Sequence, residues 1–254
     1  MLRSLFSALL MYSRIPAPKV EWKEENRRYA LGFFPVIGAV TGGALILWRI
    51  ICDELQTGQF IFAAVAVLLP VLITGGIHLD GFCDVNDARA SYAEKEKRLE
   101  IMSDPHIGSF AVIHLVLYLI LQTALFTRLT DLKMCAAAAS GYVLSRGLSG
   151  ISAISFRSAK SSGALRNFTD PAHKRITAAM LVFFIIASSA AMTIILPVQG
   201  ISAIAAAFLV LAYHRYASYR DFGGITGDLC GWFLQICEIM ILAAIVFSER
   251  IMAL

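Results

Sequence analysis

The chain of 254 residues is 58% hydrophobic and only 16% charged, with a mean hydropathy of +0.70, whereas about a quarter of the residues are charged in an ordinary soluble domain. This composition excludes a water-soluble domain and indicates a polytopic membrane protein. The net charge of +4 is spread over loops, which suggests anionic lipid and phosphate neighbours rather than nucleic acid. The five cysteines lack the paired spacing of a zinc site or disulfide framework, so we predict that they are core residues.

The apolar segments predict one membrane-embedded domain, residues 1–254, built as an all-α bundle of helices. Their apolar runs are continuous rather than alternating, which favours helices over barrel strands. Each run is long enough to cross about 30 Å of hydrocarbon. The amphipathic segment Met1–Tyr12 is predicted to be a retained interfacial helix. About seven spans follow it, at residues 29–51, 59–77, 107–129, 134–153, 175–196 and 201–216, with a last span that ends near Phe247.

Two polar segments between the spans, residues 80–106 and 155–174, are predicted to lie outside the membrane. The first contains a charged stretch, Arg89–Asp104, that is typical of a water-exposed helix. If the N-terminus is inside, most of the 22 Lys and Arg residues fall on one side, which the positive-inside rule makes the cytoplasmic side. The same orientation places both polar segments on the cytoplasmic face.

The stretch His78–Asp87 places three carboxylates at the end of an apolar segment. If the stretch is helical, Asp80, Asp84 and Asp87 project within roughly 60° of one another. Such neighbours repel, so the spacing predicts a bound cation, and carboxylate oxygens are preferred ligands of Mg²⁺, Ca²⁺ and Mn²⁺. The alternative is a solvated acidic helix start that complements the helix dipole. Acidic groups at a membrane boundary are costly, which favours the metal site.

Three residues near this acidic face are further candidates for the site. His78 could orient a ligand or accept a proton, or it could be structural. Gly81 would leave room for a phosphate to approach the backbone. Asp104, which precedes Pro105, is either a fourth carboxylate or part of an Asp-Pro pair that ends a helix.

A second candidate stretch, Gly223–Asp228, is a glycine-rich turn that leads into a helix. Its backbone N–H groups and the positive end of the helix dipole would offer an anion site, although a simple tight turn is the alternative. Asp228 could join a metal or position a nucleophile. The residues that would hold the anion are Gly223, Gly224, Thr226 and Gly227.

Two charged residues are predicted within spans. Glu238 lies about three turns into the last span, where an unpaired charge is costly and a functional role is expected. Arg146 is its candidate partner or a phosphate ligand, and snorkelling to the interface is the alternative. These residues indicate a Mg²⁺-dependent membrane transferase for a diphosphate substrate. A transporter with intramembrane acids is the rival class, but the charges cluster at one face, which favours the enzyme.

Short motifs that are each weak alone and specific in combination extend along almost the whole sequence. They are Ser13-Arg14-Ile15-Pro16, Phe34-Pro35-Val36-Ile37-Gly38, His78-Leu79-Asp80-Gly81 with Asp84 and Asp87, Arg98-Leu99-Glu100-Ile101-Met102 with Asp104 and Ile107-Gly108, Ser145-Arg146, and Gly223-Gly224-Ile225-Thr226-Gly227-Asp228 with Glu238. In this combination the sequence resembles the cobalamin synthases, or adenosylcobinamide-GDP ribazoletransferases.

The resemblance implies an inner-membrane transferase that joins adenosylcobinamide-GDP to α-ribazole or its 5′-phosphate and releases GMP. It implies Mg²⁺ held by Asp80, Asp84 and Asp87, and attack by the ribose 3′-hydroxyl on the phosphorus next to the cobinamide aminopropanol. Asp228 or His78 would take the hydroxyl proton. The residues expected to bind substrate or its phosphates are Gly81, Asp104, Arg146, Gly223, Gly224, Thr226, Gly227 and Glu238.

Two positions depart from the expected pattern, because His106 replaces an expected Arg and Ala111 an expected Gly. A titratable ring in place of a guanidinium would weaken a phosphate contact at position 106. Arg98 or Arg146 would then be the residue that compensates for it. A CDP-alcohol phosphotransferase is the nearest enzymatic alternative and an Asp-rich prenyltransferase a more distant one. Homo-oligomers or contacts with other corrinoid-pathway enzymes are compatible with the sequence, although no residue indicates one.

Overall fold

The computed structural model of the chain describes residues 1–252. Within that range the chain forms α-helices and no β-strand, apart from an isolated bridge between Ser158 and Ile225. The all-α prediction is therefore confirmed. The helices are α1 (Leu2–Tyr12), α2 (Glu24–Arg27), α3 (Phe34–Leu55), α4 (Gln59–Thr74), α5 (Ile77–Ala90), α6 (Lys95–Ile101), α7 (Ser109–Phe126), α8 (Leu132–Ser155), α9 (Ala164–Thr169), α10 (Lys174–Ile195), α11 (Pro197–Phe222) and α12 (Gly227–Met252).

Helices occupy all seven predicted spans, as α3, α4, α7, α8, α10, α11 and α12. By length and composition, five stretches of residues 1–252 can cross a membrane, or six if α4 and α5 form one broken span. The membrane bundle is thus confirmed, with five or six spans by this criterion where the sequence predicted about seven. α8 has 24 residues and is about 36 Å long. Its serines, glycines and Arg146 lower its hydropathy, and neighbouring helices bury it.

Small residues let the helices around α8 pack backbone against backbone. A Cβ added at Gly42 on α3 would lie 2.7 Å from the carbonyl oxygen of Ala139 on α8, and one at Gly38 would overlap the carbonyl of Tyr142. On the other side of α8, a Cβ at Gly150 would meet Leu181 of α10 at 2.6 Å. Such close approach is a common basis of helix association in membranes, and it makes α8 the centre of the bundle.

A sharp turn between α4 and α5 orients the acidic stretch. The two helices meet at an angle of 96°, through Gly75 and Gly76, whose φ values are +69° and +82°. This left-handed region favours glycine. The backbone N–H of Arg14 donates to the Ile73 carbonyl at 2.7 Å, so the segment after α1 is attached to the turn. As a result, α5 runs nearly perpendicular to α4.

Candidate active site

The predicted acidic helix forms as α5, with its three aspartates along one side. Asp80 is exposed, while Asp84 and Asp87 are half-buried. On the other side of the helix, Phe82 and Val85 are buried in the hydrophobic core. α5 is therefore anchored by its apolar face and presents its carboxylates away from the core, as the spacing in the sequence predicts.

The first turns of α5 and α12 cross in close contact. A Cβ added at Gly81 would lie 2.7 Å from the carbonyl oxygen of Asp228 and 2.8 Å from its Cα. At the same crossing, a Cβ at Gly231 would lie 3.2 Å from the carbonyl oxygen of His78. The space beside Gly81, which the sequence suggested for a phosphate, is thus filled by the backbone of α12. This packing places Asp228 next to the aspartates of α5.

Four carboxylates and one lysine amine lie near one another beside the crossing of α5 and α12. The charges of Asp80, Asp228 and Asp87 all act on Asp84, and the positive charge of Lys160 acts on it from the loop after α8. An oxygen-only donor set of this kind fits a hard cation such as Mg²⁺. Within residues 1–252, no three acidic, histidine or cysteine side chains stand close enough together to hold a metal ion. The carboxylates would have to turn toward a shared ion.

Asp87 has a second neighbour that the sequence did not indicate. Its carboxylate lies against the Cα of Gly108 and occupies the space that a Cβ there would need. Gly108 is the N-cap of α7, where the helix dipole stabilises a negative charge. The Asp87 carboxylate therefore lies where the dipole of α7 stabilises its negative charge.

Two concave spaces border the acidic face. A partly enclosed cavity of about 120 Å³ lies between α1, α3, α5, α8, α9 and α12. An open groove of about 610 Å³ runs along the turn between α4 and α5, beside Ser13 and Arg14. Asp80 lines both spaces. The residues that line the enclosed cavity include His78, Asp80, Ser149, Phe168, Asp228 and Leu234.

The loop after α8 covers the glycine-rich stretch. Ala159 donates its N–H to the carbonyl of Ile225 at 2.8 Å, and Ile225 donates in return to the carbonyl of Arg157 at 2.9 Å. The guanidinium of Arg157 also donates to the Gly223 carbonyl at 2.7 Å. Lys160, farther along the loop, donates to the Ser103 hydroxyl at 2.8 Å. The loop is thus attached both to the glycine-rich stretch and to the segment that follows α6.

Hydrogen bonds within the protein use some of the N–H groups that the predicted anion site in the glycine-rich stretch would need. Gly224 donates its N–H to the carbonyl of Ser218 and Ile225 donates to Arg157. The N–H of Leu229 donates to the hydroxyl of Thr226, which caps α12. These donors are already used within the protein, so the anion site stays a prediction that concerns the remaining N–H groups of the stretch, those of Thr226 and Gly227. Gly227 lines the enclosed cavity, and Gly223 ends α11 with φ at +76°.

Comparison with known proteins identifies the family of this chain. The sequence model described as cobalamin-5-phosphate synthase matches residues 4–246, which is nearly the whole chain. The chain belongs to the cobalamin-5-phosphate synthase family. This confirms the family that the sequence motifs suggested, and it makes the chain a relative of enzymes rather than of transporters.

Curated members of the cobalamin-5-phosphate synthase family align over most of the chain. A protein of Lachnoclostridium phytofermentans is 41% identical over 250 residues, which cover 98% of this chain and 95% of that protein. A protein of Clostridium perfringens is 29% identical over 238 residues, covering 93% and 94% of the two chains. One of Acinetobacter baumannii is 30% identical, covering 89% and 88%. All three are named adenosylcobinamide-GDP ribazoletransferase. No solved structure matches the chain.

In this member of the family, Asp104 lies in an exposed loop apart from the acidic cluster. Its carboxylate accepts a hydrogen bond from the backbone N–H of His106 at 2.9 Å and contacts the His106 ring. These two contacts lower the pKa of Asp104. The carboxylate therefore stabilises the turn at Pro105. This agrees with the alternative in which the Asp-Pro pair has a structural role. The His106 side chain is exposed and Ala111 is buried in α7.

Arg146 and Glu238 form an ion pair in the interior of the bundle. Both side chains are buried, and the hydroxyl of Ser145 donates to the same Glu238 oxygen at 3.2 Å. The guanidinium also donates to the carbonyl of Tyr142 at 3.1 Å. The prediction that the two residues are partners is confirmed. Because the pair is enclosed, a direct contact of either residue with a substrate phosphate is not supported.

Lys160 and Gly231 are the site residues that sequence reasoning missed. Lys160 was only one of several basic residues in a polar loop, and its proximity to Asp84 depends on how that loop folds back on α12. Gly231 lies just beyond the glycine-rich stretch, in the first turns of the last span. Gly231 follows Asp228 by one helical turn. This spacing was the available signal that α12 has a small residue on the same side as that carboxylate.

The crossing of α5 and α12 gives a prediction about stability. Gly81→Ala forces a Cβ against the backbone of Asp228, which cannot move aside as a side chain would. Overpacking of this kind costs about 1–3 kcal/mol, so we expect a lower melting temperature in detergent and reduced activity. Gly43→Ala is the matched control, because nothing lies within 4 Å of a Cβ there. Equal melting temperatures for the two variants would contradict the close crossing.

Proposed function

We propose that this chain is an adenosylcobinamide-GDP ribazoletransferase. It would join adenosylcobinamide-GDP to α-ribazole or its 5′-phosphate, giving adenosylcobalamin or its 5′-phosphate and GMP. The observation that carries this proposal is the meeting of the acidic face of α5 with Asp228 beside an enclosed cavity, in a chain of this family. The names of the curated relatives support the substrates. A CDP-alcohol phosphotransferase or a prenyltransferase gains no comparable support.

The acidic cluster is the proposed site of Mg²⁺. Asp80, Asp84 and Asp87 would hold it, and Asp228 stands beside them as a further oxygen donor. When bound, Mg²⁺ would neutralise the diphosphate oxygens and the charge that develops on the departing GMP. The fit rests on the donor chemistry and on the excess of negative charge, because four carboxylates face one nearby lysine.

Asp228 is the better placed of the two candidates for the base. Both Asp228 and His78 line the enclosed cavity. However, His78 is buried, and the positive charge of the fully buried Arg146 acts on its ring. A second positive charge beside Arg146 would be repelled. We therefore assign to Asp228 the proton of the ribose 3′-hydroxyl, which attacks the phosphorus next to the aminopropanol. Phe168 and Leu234 form part of the apolar lining of the cavity.

Lys160 would bind the substrate diphosphate opposite the carboxylates. Lys160→Met should lower kcat/KM by about tenfold or more, because a hydrogen bond to a charged group contributes about 1.5–3 kcal/mol. GMP release measured over a range of adenosylcobinamide-GDP concentrations checks this. Lys174→Met, an exposed lysine at the start of α10, is the control and should behave like the wild type. Wild-type kcat/KM in Lys160→Met would remove Lys160 from the site.

The active face is proposed to face the cytoplasm at the inner membrane of a bacterium, with the N-terminus on the same side. The distribution of Lys and Arg supports this orientation. Ser161 lies exposed in the loop that covers the site. A membrane-impermeant thiol reagent should therefore label Ser161→Cys in inside-out vesicles. Labelling only in right-side-out vesicles would reverse the proposed orientation.

The experiment that tests the function uses purified full-length protein in detergent. It is incubated with adenosylcobinamide-GDP, α-ribazole and Mg²⁺, and the products are separated and weighed by mass spectrometry. We expect adenosylcobalamin and GMP in equal amounts. With the 5′-phosphate of α-ribazole, the product gains one phosphate. A folded protein that forms neither product from either acceptor would contradict the assignment.

A further inference from the structure

Three arginines share one carboxylate on the side of α5 that faces away from the aspartates. Arg89, on α5, and Arg98, on α6, each contact Asp221 at 3.2 Å. Arg220 contacts the same carboxylate at 2.7 Å. At 100° per residue, Arg89 lies about 140° around the helix from Asp84. The cluster is therefore separate from the acidic face.

The arginines line an open cleft of about 350 Å³. Asp221 is the only acidic residue among the lining residues, all of which lie in the described part of the chain, so three positive charges face one negative charge. The Nε of Arg98 is buried and has no hydrogen-bond partner within residues 1–252. The other residues of the cleft are Asn86, Ala90, Tyr92, Phe110 and His114. The cleft thus combines excess positive charge with an unused guanidinium donor.

The position of the cleft relates it to the membrane boundary. Phe110 and His114 lie in the first two turns of α7, a helix that can span the membrane and is mostly unburied in the bundle. Tyr213 and Tyr216, near the end of the spanning helix α11, are also exposed. Aromatic side chains of this kind are enriched at the level of lipid headgroups. The aromatic side chains therefore predict that the cleft opens at the level of phosphate-bearing headgroups.

The arginines are also fixed in place before any ligand binds. Arg89 donates to the hydroxyl of Tyr213 at 2.9 Å and lies over the ring of Trp232. Arg220 donates to the hydroxyl of Tyr216 at 3.3 Å. Guanidinium groups match phosphate oxygens with paired hydrogen bonds. Little side-chain freedom would be lost on binding, which favours a specific site over a diffuse basic surface.

We propose that this arginine cleft binds a phosphate group, with the three guanidiniums sharing the anion as they share Asp221. The same chemistry is offered by the headgroup of an anionic phospholipid and by a free phosphate, and the proposal goes beyond the transferase activity. Basic pockets between helices at the cytoplasmic side are typical sites for anionic headgroups. Binding there would link α5, α6, α7 and α11 on the side of α5 opposite the carboxylates.

The test measures binding to full-length protein in a neutral detergent, without substrates of the transferase. Phosphatidylglycerol is titrated against phosphatidylcholine, and inorganic phosphate against chloride at equal ionic strength, with melting temperature and native mass spectrometry as readouts. The variant is Arg98→Gln, and the matched control is Lys97→Gln, an exposed neighbour on the same helix. Arg220→Gln is a second variant at a more exposed position, in case Arg98→Gln does not fold.

We expect wild type and Lys97→Gln to bind one of the two probes and the arginine variants to bind it roughly tenfold more weakly. A preference for phosphatidylglycerol identifies a lipid headgroup, and a response to inorganic phosphate alone identifies a soluble ligand. Binding of neither probe by the wild type, or equal affinity in the arginine variants and Lys97→Gln, would overturn the proposal. These readouts do not involve GMP release, so they remain valid if the proposed transferase activity fails.

Discussion

We expect Asp84→Asn to lower the rate of GMP release by at least about a hundredfold. Asp84 lies at the centre of the acidic cluster, and its amide replacement keeps the shape but removes a charged oxygen donor. Electrostatic stabilisation of a phosphoryl transition state contributes several kcal/mol, which corresponds to this factor. The measurement is the steady-state release of GMP from adenosylcobinamide-GDP, with α-ribazole and Mg²⁺ present at saturating concentrations.

Asp104→Asn is the matched control for that variant. It removes a carboxylate from the same side of the protein, but one that contacts only the loop at His106, so activity should stay close to wild type. The melting temperature of Asp84→Asn should not fall, because the change relieves repulsion among like charges. Wild-type turnover in a folded Asp84→Asn protein would remove the acidic cluster from the mechanism.

Glu238→Ala destabilises the protein by about 3–5 kcal/mol, because it leaves Arg146 buried without its partner. Arg146 is fully buried and Glu238 nearly so, and Ser145 donates a hydrogen bond to one Glu238 oxygen. The Nε and Nη2 of Arg146 and the Oε2 of Glu238 are buried without a hydrogen-bond partner within residues 1–252. The expected readout is a large fall in melting temperature in detergent, with activity lost in proportion to the unfolded fraction. Measured below its own melting temperature, the variant should retain much of the wild-type turnover.

Replacing both charges is the control for this interpretation. Arg146→Met combined with Glu238→Leu removes the pair without leaving an isolated charge, and substitutions of this kind are often neutral or stabilising. We expect the double variant to be more stable than Glu238→Ala. If Glu238→Ala melts like the wild type, the pair has no structural role. If Glu238→Gln is fully stable but inactive, Glu238 acts in catalysis.

The acidic face could be predicted because it depends on local structure. Asp80, Asp84 and Asp87 share one side of any helix formed by that stretch, and α5 is such a helix. The continuous apolar runs likewise located the spans to within about six residues of the helix ends. The turn at Gly75 and Gly76, which sets α5 nearly perpendicular to α4, left no comparable sign in the hydrophobic pattern.

The rest of the site depends on contacts between distant segments. The sequence placed Asp228 on the same face of the membrane as α5, but its position beside the aspartates follows from the packing of Gly81 against α12. Lys160 reaches Asp84 because the loop after α8 pairs with Ile225. Each outcome is decided by tertiary structure.

The central claim is that the carboxylates of α5 support a Mg²⁺-dependent transfer. The most direct measurement follows GMP release by the purified wild-type protein as Mg²⁺ is removed with a chelator and then restored. We expect GMP release to fall to background in chelator and to return with added Mg²⁺, while the melting temperature shows that the protein remains folded. Undiminished GMP release in the presence of excess chelator would contradict it.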